Sequence, residues 1–100
     1  MDTTSELVER HVRASELQLR RIDELIAQAR SAAPAAPAVE PLLAEIEANR
    51  ARLARELESL RREPPHDAAV ERGAGVQSAL EAAGLQFERM LGAVLQAPRR

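Results

Sequence analysis

Chemistry in this chain would have to start from two histidines, because there is no cysteine to act as nucleophile, thiolate ligand or disulfide partner. An imidazole can serve as a general base or a metal ligand, but it needs partners that converge on it. On a helix the neighbours of His11 are Leu7, Ser15 and arginines, so His11 reads as a histidine at the edge of an apolar stripe. His66-Asp67 follows Pro64-Pro65 and would need ligands from elsewhere to hold a metal. A turn-and-cap role suits it better, with Asp67 as the N-cap of a helical stretch. The 16 carboxylates alternate with arginines along the chain. Paired acid–base work needs two carboxyls in different environments within one cleft, and alternation with arginine describes solvated faces instead. Arg72-Gly73-Ala74-Gly75 is the one glycine-rich stretch, and it lacks the preceding strand of a phosphate-binding loop. The expectation is a non-enzyme with no catalytic residue, no cofactor and no metal.

The composition limits the class further. One hundred residues make at most one domain. The 45% apolar content is generous in number and thin in volume, because 20 of those residues are alanine and Phe87 is the sole aromatic. Such a core gives a monomer of modest stability, which makes self-association or a partner an expectation. All 14 basic residues are arginine, against 16 acids. With the alanine, proline and glycine content, this suggests a GC-rich, bacterial genome. Residues 1–33 and 34–66 each carry 5 arginines and 6 acids, and residues 67–100 carry 4 of each. No third is a basic arm, so no nucleic acid is expected as a partner. The acidic, polar start Met1-Asp2-Thr3-Thr4-Ser5-Glu6 does not read as a secretory signal. No run approaches the ~20 apolar residues of a membrane span. A cytoplasmic location is the expectation.

Two proline-bearing breaks divide the chain into three helical stretches. The first helix is predicted over 3–32, opened by a Thr3-x-x-Glu6 capping box. At 3.6 residues per turn, Val8, Val12, Leu19, Ile22, Leu25, Ile26 and Ala29 share its apolar face, with Ser15 in the middle and Leu17 well off it. Residues 33–39 form an Ala/Pro linker, whose extended chain of about 3.1 Å per residue can cross the 8–10 Å between packed helices. The second helix is predicted over 40–62, with Pro41 in its first turn. Leu43, Ile46, Arg50, Leu53, Leu57 and Leu60 follow 3-4 spacing in it, the signature of a coiled-coil strand. Residues 1–62 thus read as a helical hairpin. Gly73 and Gly75 each cost about 1 kcal/mol against alanine in a helix, so 63–75 reads as a Pro/Gly linker. A third amphipathic helix is predicted over 76–97, with Val76, Ala79, Leu80, Ala83, Phe87, Met90, Leu91, Val94 and Leu95 on one face. Its Gly75/Ala79/Ala83 row is where another helix could approach closely.

The fold class is therefore all-α: a helical hairpin plus a third amphipathic helix, closed as a three-helix bundle or as a coiled-coil-like homo-oligomeric bundle. Three apolar stripes without a chemical site point to packing against protein. The expected function is a small adaptor or scaffold whose partner is another helical protein or a second copy of this chain. The expected partner-binding residues are Leu53, Leu57, Leu80, Phe87, Met90, Leu91, Val94 and Leu95. The bland reading of the Phe87–Leu95 end is the third wall of an intramolecular core; the sharper one is a docking face used in helix-in-groove fashion. On the second of these, Leu91→Asp would abolish the partner contact. Size, all-helical make-up and mild acidity also resemble the broad class of cytoplasmic chaperones or regulators of bacterial secretion and flagellar export, which forms the alternative. A membrane-surface helix is disfavoured because the polar face of the third helix holds Glu81, Glu88 and only Arg89. A DNA-associated regulator would require Arg13, Arg20, Arg21, Arg52 and Arg55 to gather on one surface.

Overall fold

The computed structural model describes residues 3–32 and 39–95, the side chains of residues 32, 39, 94 and 95 excepted. The described residues form three helices, α1 (Thr3–Ala32), α2 (Val39–Arg62) and α3 (Asp67–Leu95), and contain no strand. They pack into an up-down-up bundle 59 Å long and 17 Å across. Cross-helix partners give the directions. Glu16–Arg61, Asp23–Arg50 and Arg30–Glu47 run in opposite senses, so α1 and α2 are antiparallel. His11–Gln77 and Arg21–Glu88 advance together, so α1 and α3 are parallel.

Each helix contributes an unbroken 3-4 run to the core. In α1 the positions are 8, 12, 15, 19, 22, 26 and 29, in α2 43, 46, 50, 53, 57 and 60, and in α3 69, 73, 76, 80, 83, 87 and 90. Every one of these is buried or half-buried. This spacing keeps one stripe facing its neighbours along the whole rod, which is why three long helices close on each other without aromatic bulk. Three positions break the apolar rule. Arg50 stands in the α2 run and forks onto Asp23 through Nε and Nη2, at 3.0 and 3.1 Å. Ser15 in α1 is fully buried, and its Oγ meets no hydrogen-bond partner. Gly73 is buried in α3 at a core position.

The third helix differs from expectation in extent. It starts at Asp67 rather than at residue 76, so residues 67–75 are two further turns of helix. Summed glycine propensity favours a break there, but tertiary packing overrides it. A Cβ built on Gly73 would stand 3.2 Å from His11 Cβ and 3.3 Å from Leu60 Cδ2, so the missing side chain is what lets α3 lie against α1 and α2 at this level. The expected close-approach row is also different. Gly75 and Ala79 face outward and Ala83 is half-buried, while Gly73 and Gly84 are the buried glycines. A Cβ on Gly84 would meet Gln18 Oε1 at 3.3 Å.

The cap of α3 is His66 rather than Asp67. The Ala69 amide donates to His66 Nδ1 at 3.3 Å, and the Val70 amide donates to the His66 carbonyl at 3.1 Å. These are the side-chain bond to the third helical residue and the first intrahelical bond that define an N-cap.

Candidate interaction groove

The residues expected to bind a partner fall into three groups. Leu53, Leu57, Leu80, Phe87 and Leu91 are at most 3% exposed and belong to the chain's own core. Met90 is half-buried at the last described position of the 3-4 run in α3. The side chains of Val94 and Leu95 lie outside the described residues. The third-wall reading of the Phe87–Leu91 end therefore describes this fold, and a partner could reach those five side chains only by opening the bundle. Leu91→Asp would bury a carboxylate in the core and so tests folding rather than docking.

What remains outside the core is decided by the flanks of the three seams. The α1–α2 seam is closed by ion pairs that bridge it: Glu16–Arg61, Asp23–Arg50, and Arg30 with both Glu47 and Glu40. The hydrogen bond that Arg30 donates to the Glu47 carboxylate raises the guanidinium above its ordinary arginine value. The α1–α3 seam, the most extensive of the three, is closed by close approach at Gly73 and Gly84 and by the His11–Gln77 and Arg21–Glu88 contacts. Heptad spacing carries the same register on to Leu25 opposite Leu91, both buried.

The α2–α3 seam is different. Its cross-link lies at the turn, where Arg72 forks onto Glu63 at 2.8 and 2.5 Å. Stepping away from that pair by heptads, the antiparallel register sets Glu56 against Ala79 and Asn49 against Gln86. Around the groove Glu56 thus faces a short side chain, and Ser59 on α2 and Gly75 on α3 are too short to seal the gap. The result is an open groove of about 490 Å³ lined by Glu56, Ser59, Leu60, Arg72, Gly75 and Val76. Leu60 and Val76 form its apolar floor, and each is buried by its own chain down to 1% and 8% exposure. A Cβ on Gly75 would find open space, so this glycine widens the groove without serving the intrachain packing. Sequence reasoning placed Leu60 on the apolar stripe of α2 but singled out neither Glu56 nor Ser59, because their significance depends on which α3 residues stand opposite.

The remaining candidates have ordinary surroundings. His11 is tied to Gln77, whose amide in turn reaches Glu81 at 3.0 Å. Among the described residues, no group of three histidines and carboxylates gathers where it could hold a metal ion. Of the five arginines whose gathering would make a basic surface, Arg13 pairs with Glu9, Arg21 with Glu88 and Arg52 with Glu56. Among the described residues, no helix is long and apolar enough to cross a membrane. Leu17 on α1 and Leu85 on α3 are 61% and 50% exposed. No protein-family model, curated protein or solved structure matches this chain.

Proposed function

We propose that this chain is a non-catalytic helical interaction module, an adaptor or scaffold, and that it binds an amphipathic partner helix along the α2–α3 groove. The supporting observation is the groove that opens between α2 and α3 around Gly75, above Leu60 and Val76, while cross-helix polar pairs are spread along the α1–α2 and α1–α3 seams. Helix-in-groove recognition uses aliphatic anchors on one helical face. Here the apolar face of the partner helix would lie over Gly75 and Val76, above the buried Leu60, and a donor beside it would meet Glu56 on the rim. This relocates the interaction from the expected core leucines to the surface between α2 and α3. The export-chaperone alternative is a special case, in which the occupant is the amphipathic helix of an export substrate.

The test is a tagged pull-down from the source organism with light scattering on the eluate, run beside Gly75→Trp. Open space at this Cβ means the indole fills the groove while the fold is kept, as circular dichroism would verify. One stoichiometric protein, or a second copy, held by the native chain and lost by Gly75→Trp is the expected result. A partner retained by the blocked variant, or a native chain that elutes alone as a monomer, removes the proposal.

A further inference from the structure

The two histidines use the same ring atom in opposite ways. His11 Nδ1 lies 2.6 Å from Gln77 Oε1, so it carries the proton and donates. That bond survives when the ring gains a second proton. His66 Nδ1 instead accepts the Ala69 amide at the first turn of α3, which requires its lone pair to be free. Protonation fills that lone pair and sets an N–H where an acceptor stood. The new charge also faces the positive end of the α3 dipole.

The charges around His66 decide whether anything holds the ring in place afterwards. Glu63 Oε1 lies 3.7 Å from Nε2 and attracts a protonated ring. That carboxylate is already forked by Arg72, at 2.8 and 2.5 Å. Asp67 is the next residue in the chain, and among the described residues α1 contributes no ion pair to the ring. With its side chain 45% exposed, the imidazolium is screened by water, so Glu63 does not restore the lost cap.

We propose that His66 is a pH-sensitive cap: neutral, it closes the first turn of α3, and protonated, it releases that turn and loosens the α2–α3 junction at the end of the groove. The cap bond is present while the ring is neutral and is lost when falling pH protonates Nδ1. This concerns the isolated chain and holds whether or not the groove takes a partner.

The experiment is NMR on the full chain and on His66→Asn between pH 8 and 5, following the His66 ring nitrogens and the exchange of the Ala69 amide in the same samples. Asparagine is a strong cap with no proton to gain in this range. The expected result is an Nε2–H tautomer at pH 8, and an Ala69 protection factor that falls about five-fold as the ring titrates, as suits loss of a typical cap. Leu80 in mid-helix should keep its protection, and His66→Asn should show no step at Ala69. An Nδ1–H tautomer at pH 8, constant Ala69 protection across the titration of His66, or the same fall in His66→Asn would each overturn it.

Discussion

The two seams that α3 makes share one set of core positions and end in different states. Towards α1 the helices are parallel and tightly apposed, with Gly73 and Gly84 admitting His11 and Gln18. Towards α2 they are antiparallel and gap open around Gly75. Core leucines, isoleucines and valines serve both seams, so core burial does not separate them. The difference lies one position outward, where side-chain length on one helix must match space on the other. In a slender bundle, the heptad core decides that helices associate, and the flanks decide which surface is left for another molecule.

The largest expected effect erases the comparison altogether. Phe87 is 3% exposed and is the single aromatic in a core whose other apolar members are aliphatic. Phe87→Ala should cost about 3–5 kcal/mol, read as a lower urea midpoint at unchanged slope. For a core of this volume that is a large share of a stability of ~5–15 kcal/mol. A loss under about 1 kcal/mol would mean that the Phe87 end contributes little to closing the bundle.

A sharper contrast comes from two glycines two residues apart in one helix. Gly75→Ala adds a methyl group into open space and removes a helix-breaking residue, so it should stabilise by about 1 kcal/mol. Gly73→Ala gains the same propensity, but its methyl group would press on the Cβ of His11, which moves only with the α1 backbone. Overpacking of this kind costs about 1–3 kcal/mol, which makes the net change destabilising. Gly84→Ala should fall between them, because its nearest obstacle is the end of the flexible Gln18 side chain. Thermal melts of the three variants give the order directly. Equal shifts for Gly73→Ala and Gly75→Ala would mean that the α1–α3 seam is no tighter than its neighbour.

These glycines also mark how far the sequence can be read. The three stripes, the hairpin ends near residues 32 and 62, the exposed Leu17 and the 3-4 run through Leu43, Ile46, Arg50, Leu53, Leu57 and Leu60 follow from periodicity alone. The start of α3 does not, because two glycines argue locally against the helix that packing imposes. The groove is further out of reach. A stripe shows which residues of a helix face inward, but a gap between helices depends on register, and register shows in pairs between elements, such as Glu63–Arg72 across the second turn and His11–Gln77, 66 residues apart. His66 is not legible as the cap because histidine is outside the usual capping set, while Asp67 beside it belongs to that set.

A smaller effect tests the α1 side of the core. Ser15 Oγ is buried without a partner, and an orphaned hydroxyl costs about 1–3 kcal/mol in desolvation. Ser15→Ala removes it, leaves almost no void and improves helix propensity. The variant should be more stable by about 1 kcal/mol in urea titration. Destabilisation instead would reveal that the hydroxyl has a partner, with backbone or water.

The smallest effect concerns how the α1–α2 seam is closed. Arg50 occupies a core position of α2, with its stem among leucines and its guanidinium forked onto Asp23. Both side chains keep contact with water, at 34% and 51% exposure, so the pair is worth at most about 1 kcal/mol. Its value lies in position: only one register of α1 against α2 brings Asp23 to Arg50, and a polar group in a heptad core fixes register at some cost in stability. A double-mutant cycle with Asp23→Asn and Arg50→Met should give a coupling of about 0.5 kcal/mol at low salt, shrinking in 1 M NaCl as screening shortens to ~3 Å. A coupling indistinguishable from zero would leave this seam closed by its apolar positions alone. The contrast with the α2–α3 groove would then rest on side-chain volume rather than on charge, and flank charges would say nothing about which surface a helical bundle leaves open.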